Sequence, residues 1–288
     1  MGIVFINKKS GITSFDSLRE IKKELGTGKV GHTGTLDKFA SGLLIVLTER
    51  DLKLTQWFMN CDKQYIGKIR FGVETDTLDP EGEVIAQAPL PTRELVQAIL
   101  PQFTGSIMQT PPVYSALHIK GQRASELARA GKSPQMKQRP VTIYKLELRS
   151  WQPSQAEIFV HCSSGTYIRS LARDIALAAG SRGHLVELVR TGIAGFNFSN
   201  SKKQIQNIDK NIIGKLGLPI MEVTQEQVQY IKHGKPLDLI MHFPCAGTPL
   251  QEDKFALFCN DTLAAIVENK TGKWQYGAVL TERRHSSD

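Results

Sequence analysis

Cysteine is scarce in this chain, with four in 288 residues (Cys61, Cys162, Cys245, Cys259) and no CxxC pair. That spacing argues against a zinc ribbon and against a disulfide framework, and points to a reducing compartment. Long apolar runs are missing too. The longest branched run, Leu43 to Leu47, is far too short to cross a bilayer and reads as a buried strand. The first residues, Met1-Gly2-Ile3-Val4-Phe5-Ile6, have no basic region ahead of an apolar core, and Ile6 stands where a myristoylation site needs Ser or Thr. The expectation is a cytoplasmic protein with no membrane attachment. A Walker loop is also absent, because Lys23 occupies the place of its first glycine before Lys29.

What is present is a surplus of base. The formal charge is +8 and the pI about 9.3, which favours a polyanionic partner through counterion release. The most informative run is Gly31-His32-Thr33-Gly34-Thr35-Leu36-Asp37: one carboxylate beyond two glycines, with no second acid one or two residues away. That spacing does not suggest a paired-acid hydrolase. Taken alone, Asp37 is either a turn residue or a nucleophile.

The chain divides into one large unit and a small one. Val4 to Ile6 reads as a strand. Thr13 and Asp16 start a capping box, after which Phe15, Leu18, Ile21 and Leu25 recur at helical spacing until Gly26. Glu49 to Met59 reads as a helix with Leu52, Trp57 and Phe58 inward. Tyr65, Gly67, Ile69 and Phe71 alternate as a strand, and Asp79 to Gly82 is a turn. Arg93 to Leu100 is a helix. From Pro111 to Arg139 the chain turns Pro-, Gly- and base-rich around a short helix near Ala124 to Ala130, in the manner of an insertion leaving the core. Two strands follow, Val141 to Leu148 and Glu157 to Cys162. Ser163 to Thr166 then cap a helix from Tyr167 to Ala179, and His184 to Arg190 alternates again. After Phe198 a Ser-, Asn- and Lys-rich stretch reads as a linker or surface helix. Beyond Ile220, one helix and three short strands suit a small β-barrel-like appendage. Strands and helices do not alternate regularly, so the class expected is α+β.

Several segments occur together in an order that resembles the TruB-type pseudouridine synthases. They are Asn7-Lys8, Gly31 to Asp37 with Ala40-Ser41-Gly42, Asp62 to Tyr65, Thr75-Asp76-Thr77, Tyr114 to Leu117, Gly165 to Arg169 and His184 to Arg190. The resemblance covers about residues 3 to 198. It implies a twisted mixed, mostly antiparallel sheet flanked by helices over residues 1–212, with a basic RNA-gripping insertion at about 108–139. It also implies a PUA-like β domain over 219–288. The activity implied is isomerisation of uridine 55 in the T-arm loop of tRNA, by a monomer acting alone.

That reaction breaks the bond from C1′ to N1 of uracil, turns the base and rejoins it through C5. It oxidises nothing and transfers no group, so no cofactor and no metal is expected. The resemblance makes Asp37 the catalytic carboxylate and Arg169 its partner, the guanidinium lowering the carboxyl pKa. An arginine in a first helical turn also opposes the macrodipole, which a carboxylate nearby would offset. Tyr65 would stack on the uracil, with the order of 1–3 kcal/mol per base. His32 would fill the space left by the flipped nucleotide, and Tyr167 and Leu188 would line the pocket. Lys53, Lys120, Arg123 and Arg139 would bind RNA, supplying affinity rather than chemistry. Lys38 departs from the family, which usually has proline there. It should loosen the loop and place an amine beside Asp37. The competing readings are a non-catalytic RNA-binding or RNA-folding protein using Gly31 to Gly34 as a clamp, which requires a helix on each side, and a metal-dependent nuclease.

Overall fold

The computed structural model describes residues 1–198, 205–240 and 253–281. The chain opens with β1 (Gly2–Lys8), buried at every residue but Asn7. Helix α1 (Ser14–Leu25) begins at the expected Thr13–Asp16 capping box and ends on Gly26, in the left-handed region at φ 62°. Leu18 and Ile21 pack on Val4, Ile6, Leu44 and Val46. Phe15, expected on that inner stripe, is instead 60% exposed, with the Lys22 ammonium 5.6 Å from its ring. Ser14 occupies the buried position at the helix start, donating to Leu36 O at 3.1 Å and accepting from Leu36 N at 2.9 Å.

A short strand absent from the sequence reading, β2 (Val30–His32), pairs with β3 (Ser41–Thr48). The expected helix from Glu49 is a 3-10 segment followed by one α turn, α2 (Thr55–Met59), which buries Trp57 and Phe58. Strand β4 (Lys63–Phe71) leads into the small β5 (Val73–Thr75) and β6 (Val84–Gln87) pair, then α3 (Arg93–Ile99) and β7 (Gly105–Gln109). The insertion carries the hairpin β8 (His118–Ile119) and β9 (Gln122–Arg123) and the short α4 (Ala124–Arg129). A long hairpin of β10 (Arg139–Gln152) and β11 (Gln155–Cys162) follows, then α5 (Ile168–Ala178), β12 (Gly183–Ile193) and β13 (Phe196–Asn197).

The main sheet runs β1-β3-β12-β4-β11-β10-β7, with β2 on β3 and β13 on β12. In this sheet, among the described residues, only the β3–β12 pairing is parallel, at Val189 opposite Ser41 and Arg190 opposite Gly42. This is the mixed, mostly antiparallel α+β architecture expected. Gly42 permits that junction, since a Cβ there would lie 2.4 Å from Arg190 O with φ at +117°. On one face Ile69, Ile158, Val160 and Leu185 pack against Ile168, Leu171 and Ile175 of α5.

The remaining described elements are α6 (Lys210–Lys215), β14 (Ile220–Glu222), α7 (Gln225–Lys232), β15 (Lys254–Cys259), β16 (Thr262–Lys270) and β17 (Lys273–Val279). They build a sheet ordered β14-β15-β16-β17, of which β14 was not expected. The small unit is not an appendage on a tether: Ala256, Phe258, Ile266 and Leu280 share one apolar cluster with Ile3, Phe5, Leu47, Trp57 and Phe58. Each fully buried side chain of this kind contributes about 1.5–3 kcal/mol. The expected linker after Phe198 falls partly outside the described residues.

Candidate active site

Asp37 sits in the loop between β2 and β3, and that loop is fastened on all sides. Thr33 N donates to Ile45 O at 3.0 Å and Gly11 N to Lys38 O at 2.8 Å. Lys8, almost wholly buried, places its ammonium among the carbonyls of Lys9, Ile12, Lys38 and Ala40 at 2.6 to 3.3 Å. Burial lowers its pKa, an effect Asp37 opposes. From the other side Arg190 donates to Leu43 O at 2.8 Å, Thr35 O at 3.4 Å and Gly34 O at 3.1 Å. Lys38 does not address Asp37; its side chain turns out to Glu81, 3.5 Å away.

The Asp37 carboxylate meets Arg169, with Nε 2.9 Å from Oδ2 and NH2 3.2 Å from Oδ1. Arg169 is the second residue of α5, so the two carboxylates gathered there offset its placement at a helix N-terminus. The same guanidinium bonds Asp79 Oδ2 at 3.1 Å, Thr77 O at 2.7 Å and Tyr114 O at 2.9 Å. The expected pairing is therefore present, but its expected electrostatic result is reversed. Burial pushes the Asp37 carboxyl above its ordinary range, Arg169 pulls it down, and Asp79 pushes it up again. One guanidinium shared by two carboxylates does not offset the loss of water around them. The 37% of the Asp37 side chain that stays exposed faces a cavity of about 310 Å³, within the size range of small-molecule sites.

Asp37, Tyr65, Arg139, Tyr167, Arg169 and Leu188 all line that one cavity. Tyr65 enters from β4; burial raises its phenol pKa, and Arg190, which hydrogen-bonds it, opposes the rise. Leu188 lies opposite Gly67 on the neighbouring β12. Arg139 is a wall residue rather than part of the insertion's exposed charge. Its guanidinium lies 4.9 Å from the centre of the Tyr167 ring and bonds Gly165 O. His32 stands on β2, outside the lining, with Nδ1 accepting from Gly34 N at 3.4 Å. Burial and Arg190 lower its pKa, so the ring is neutral at pH 7. Lys120 and Arg123 are exposed on the β8–β9 hairpin, away from the cavity lining. Lys53, read as an RNA contact, donates to Val279 O at 2.7 Å and ties the two units together.

Four residues of this region escaped the sequence reading of the site. Asp79 was taken only as a turn former. Arg190 lies within β12, which also carries His184 and Glu187, so its charge alone does not set it apart. Lys63 lies two residues before Tyr65 on the same inward face, so strand periodicity pointed to it; it donates to Met59 O and Cys61 O at 2.5 Å, and burial lowers its pKa to about 8. Gln109, at the end of β7, gave no local signal. A larger depression of about 640 Å³ between α3 and β10 carries Arg93 and Glu147 but none of these groups. Among the described residues no three His, Cys, Asp or Glu side chains are grouped to hold a metal, and no helix is long and apolar enough to cross a membrane. The thiols of Cys61 and Cys162 are pushed by burial up to about 11 and about 12. The clamp reading fails on geometry, because Gly31 and His32 lie within β2 and a strand, β3, follows where a helix is required.

The fold is shared with the Cbf5 chains of solved assemblies. A Cbf5-Nop10-Gar1 complex matches 98% of this chain and 85% of its own at a TM-score of 0.71 and 23% identity. An archaeal box H/ACA sRNP Nop10-Cbf5 complex matches at 0.69 and 20%, over 98% and 87%. At such identities the likeness concerns the fold alone. Sequence narrows it further: residues 22–168 match the model of the TruB family pseudouridylate synthase N-terminal domain. The tRNA pseudouridine synthase B of Francisella tularensis subsp. tularensis (strain WY96-3418) is 44% identical over 94% of this chain and 92% of its own. That of Borreliella burgdorferi (strain ZS7) is 40% identical over 81% and 85%. The chain belongs to the TruB family of pseudouridylate synthases.

Proposed function

We propose that this chain converts uridine 55 in the T-arm loop of tRNA to pseudouridine, acting alone in the cytoplasm, with Asp37 as the catalytic carboxylate. The observation that carries this reading is the Arg169-held carboxylate at the wall of the cavity that Tyr65 also lines. Relatives named tRNA pseudouridine synthase B support the choice of tRNA. The reaction is an internal rearrangement. The C1′–N1 bond breaks, the freed uracil turns, a C1′–C5 bond forms, and C5 loses a proton while N1 gains one. Ionised Asp37 either attacks the nucleoside or abstracts the proton, and Arg169 keeps its oxygens aimed. Its raised pKa makes it a better base or nucleophile than an exposed aspartate once it is ionised. The Tyr65 ring stacks on the uracil, with its phenol protonated. Leu188 and Tyr167 confine the loosened base, and neutral His32 takes the space of the extruded nucleotide. Lys120 and Arg123 hold phosphates.

Incubation with an unmodified tRNA transcript, followed by mapping of carbodiimide-resistant pseudouridine, tests this. Wild-type protein should mark position 55, and Asp37→Asn should bind the tRNA without turning it over. Full turnover by Asp37→Asn rejects the catalytic assignment, and product confined to another position rejects the substrate site.

A further inference from the structure

The start of α5 lacks a side-chain cap of its own. Ser163, Ser164 and Thr166 precede it, yet its N-cap is Tyr167, which no local side chain serves. Thr166 Oγ1 is turned to Ser163 O and Ser163 Oγ to Thr142 N. The partner comes from 58 residues away. Gln109 Oε1 accepts from Tyr167 N at 2.8 Å, and Gln109 Nε2 donates to Tyr167 O at 3.1 Å. Gln109 is wholly buried.

We propose that Gln109 is a positioning residue for the reaction: its amide clamps the Tyr167 backbone and thereby holds Arg169 against Asp37. The inference rests on the proposed function. Both polar groups of one residue are engaged by a single planar amide, so Tyr167 cannot rotate about φ or ψ without breaking one bond. Tyr167 lines the cavity, and Arg169 follows two residues later. Arg139, the cross-strand partner of Gln109 on β10, covers the Tyr167 ring. One residue pair on one ladder thus fixes both backbone and ring.

Gln109 is also the last residue of β7, where the insertion begins. The next residues are fastened to the same helix. Ser170 Oγ donates to Thr110 O at 2.8 Å, Arg173 NH2 to Thr110 O at 3.2 Å and Arg169 NH2 to Tyr114 O at 2.9 Å. The foot of the insertion that carries Lys120 and Arg123 is therefore tied to the helix that bears Arg169. Gln109 touches no substrate; its effect passes through Arg169.

The test uses the full chain with tRNA transcript. Gln109→Leu removes both bonds at similar size. Gln109→Glu keeps an acceptor for Tyr167 N but sets an oxygen against Tyr167 O. Each variant is measured for tRNA dissociation constant, single-turnover rate at saturating tRNA, and the pH of the acid limb of that rate. Gln109→Leu should lose roughly ten- to a hundredfold in rate, the scale on which small misplacements act, and Gln109→Glu should fall between it and wild type. Affinity should stay within about twofold, which separates chemistry from binding. The acid limb should move to higher pH as Arg169 loses its hold on Asp37. Unchanged rates, or equal losses of rate and affinity with the acid limb in place, overturn the clamp. If Gln109→Leu does not fold, Gln109→Glu carries the same three readouts. A wild-type protein that makes no pseudouridine sinks the proposed function, whereas an active wild type with unimpaired Gln109 variants sinks the clamp alone.

Discussion

Replacing Arg169 by methionine isolates the physics on which the site depends. The guanidinium faces two carboxylates and two carbonyls and is almost fully buried. Removing one partner of a buried ion pair costs about 3–5 kcal/mol. Asp79, only 8% exposed, should incur most of that, while Asp37 is partly relieved by water in the cavity. With the carbonyls of Thr77 and Tyr114 left short of a donor at roughly 1 kcal/mol each, a net loss of about 4 kcal/mol is expected after methionine refills some volume. For a chain of this size that is roughly an 8–16 °C fall in Tm. The pH dependence carries a sign. The folded pKa of Asp37 already lies above its ordinary value, so folding disfavours its ionised form, and loss of Arg169 raises that pKa further. The deficit should therefore be larger at pH 8 than at pH 5, since falling pH favours protonation of the folded carboxyl. The acid limb of the residual rate should move to higher pH in parallel. Calorimetry and single-turnover assays at both pH values decide it. A deficit below about 1 kcal/mol, within the range of exposed ion pairs, or one equal at both pH values, would refute the view that Arg169 holds together two buried carboxylates.

Gly42→Ala should cost about 3 kcal/mol or more, because a Cβ there meets the Arg190 backbone at 2.4 Å and φ of +117° adds strain of its own; a Tm within 2 °C of wild type, less than about 1 kcal/mol, would count against the junction. Lys120→Gln with Arg123→Gln should weaken tRNA binding and lower its log–log salt slope by about 0.7–0.9 per lost phosphate contact. Arg139→Gln should instead slow turnover at saturating tRNA, since that guanidinium covers Tyr167. Identical behaviour of the two sets in a salt titration and a single-turnover assay would reject this division.

The elements were legible where local rules suffice. The capping box at Thr13, the alternation of β4 and the turn at Asp79 each depend on neighbours within a few residues, and each is present. The site was half legible for the same reason. Motif order implied Asp37, Tyr65 and Arg169, but nothing local shows that Arg169 must also serve Asp79, 90 residues away. The Asp37 carboxyl is raised rather than lowered because burial outweighs the one guanidinium and Asp79 adds to the rise. Arg139 shows the converse: it belongs to a basic run by composition, while the β10 ladder places it over Tyr167. Phe15 lost the inner face of α1 to Ser14, because the loop holding Asp37 needs a hydroxyl there more than the core needs a ring. In each case the residue type was readable and the partner was not, because the partners come from strands and loops far apart in sequence. The parallel β3–β12 junction sets Arg190 opposite Gly42 at the end of the Asp37 loop, and the β12–β4 ladder sets it opposite Tyr65. The site's electrostatics are accordingly a property of sheet order rather than of any motif.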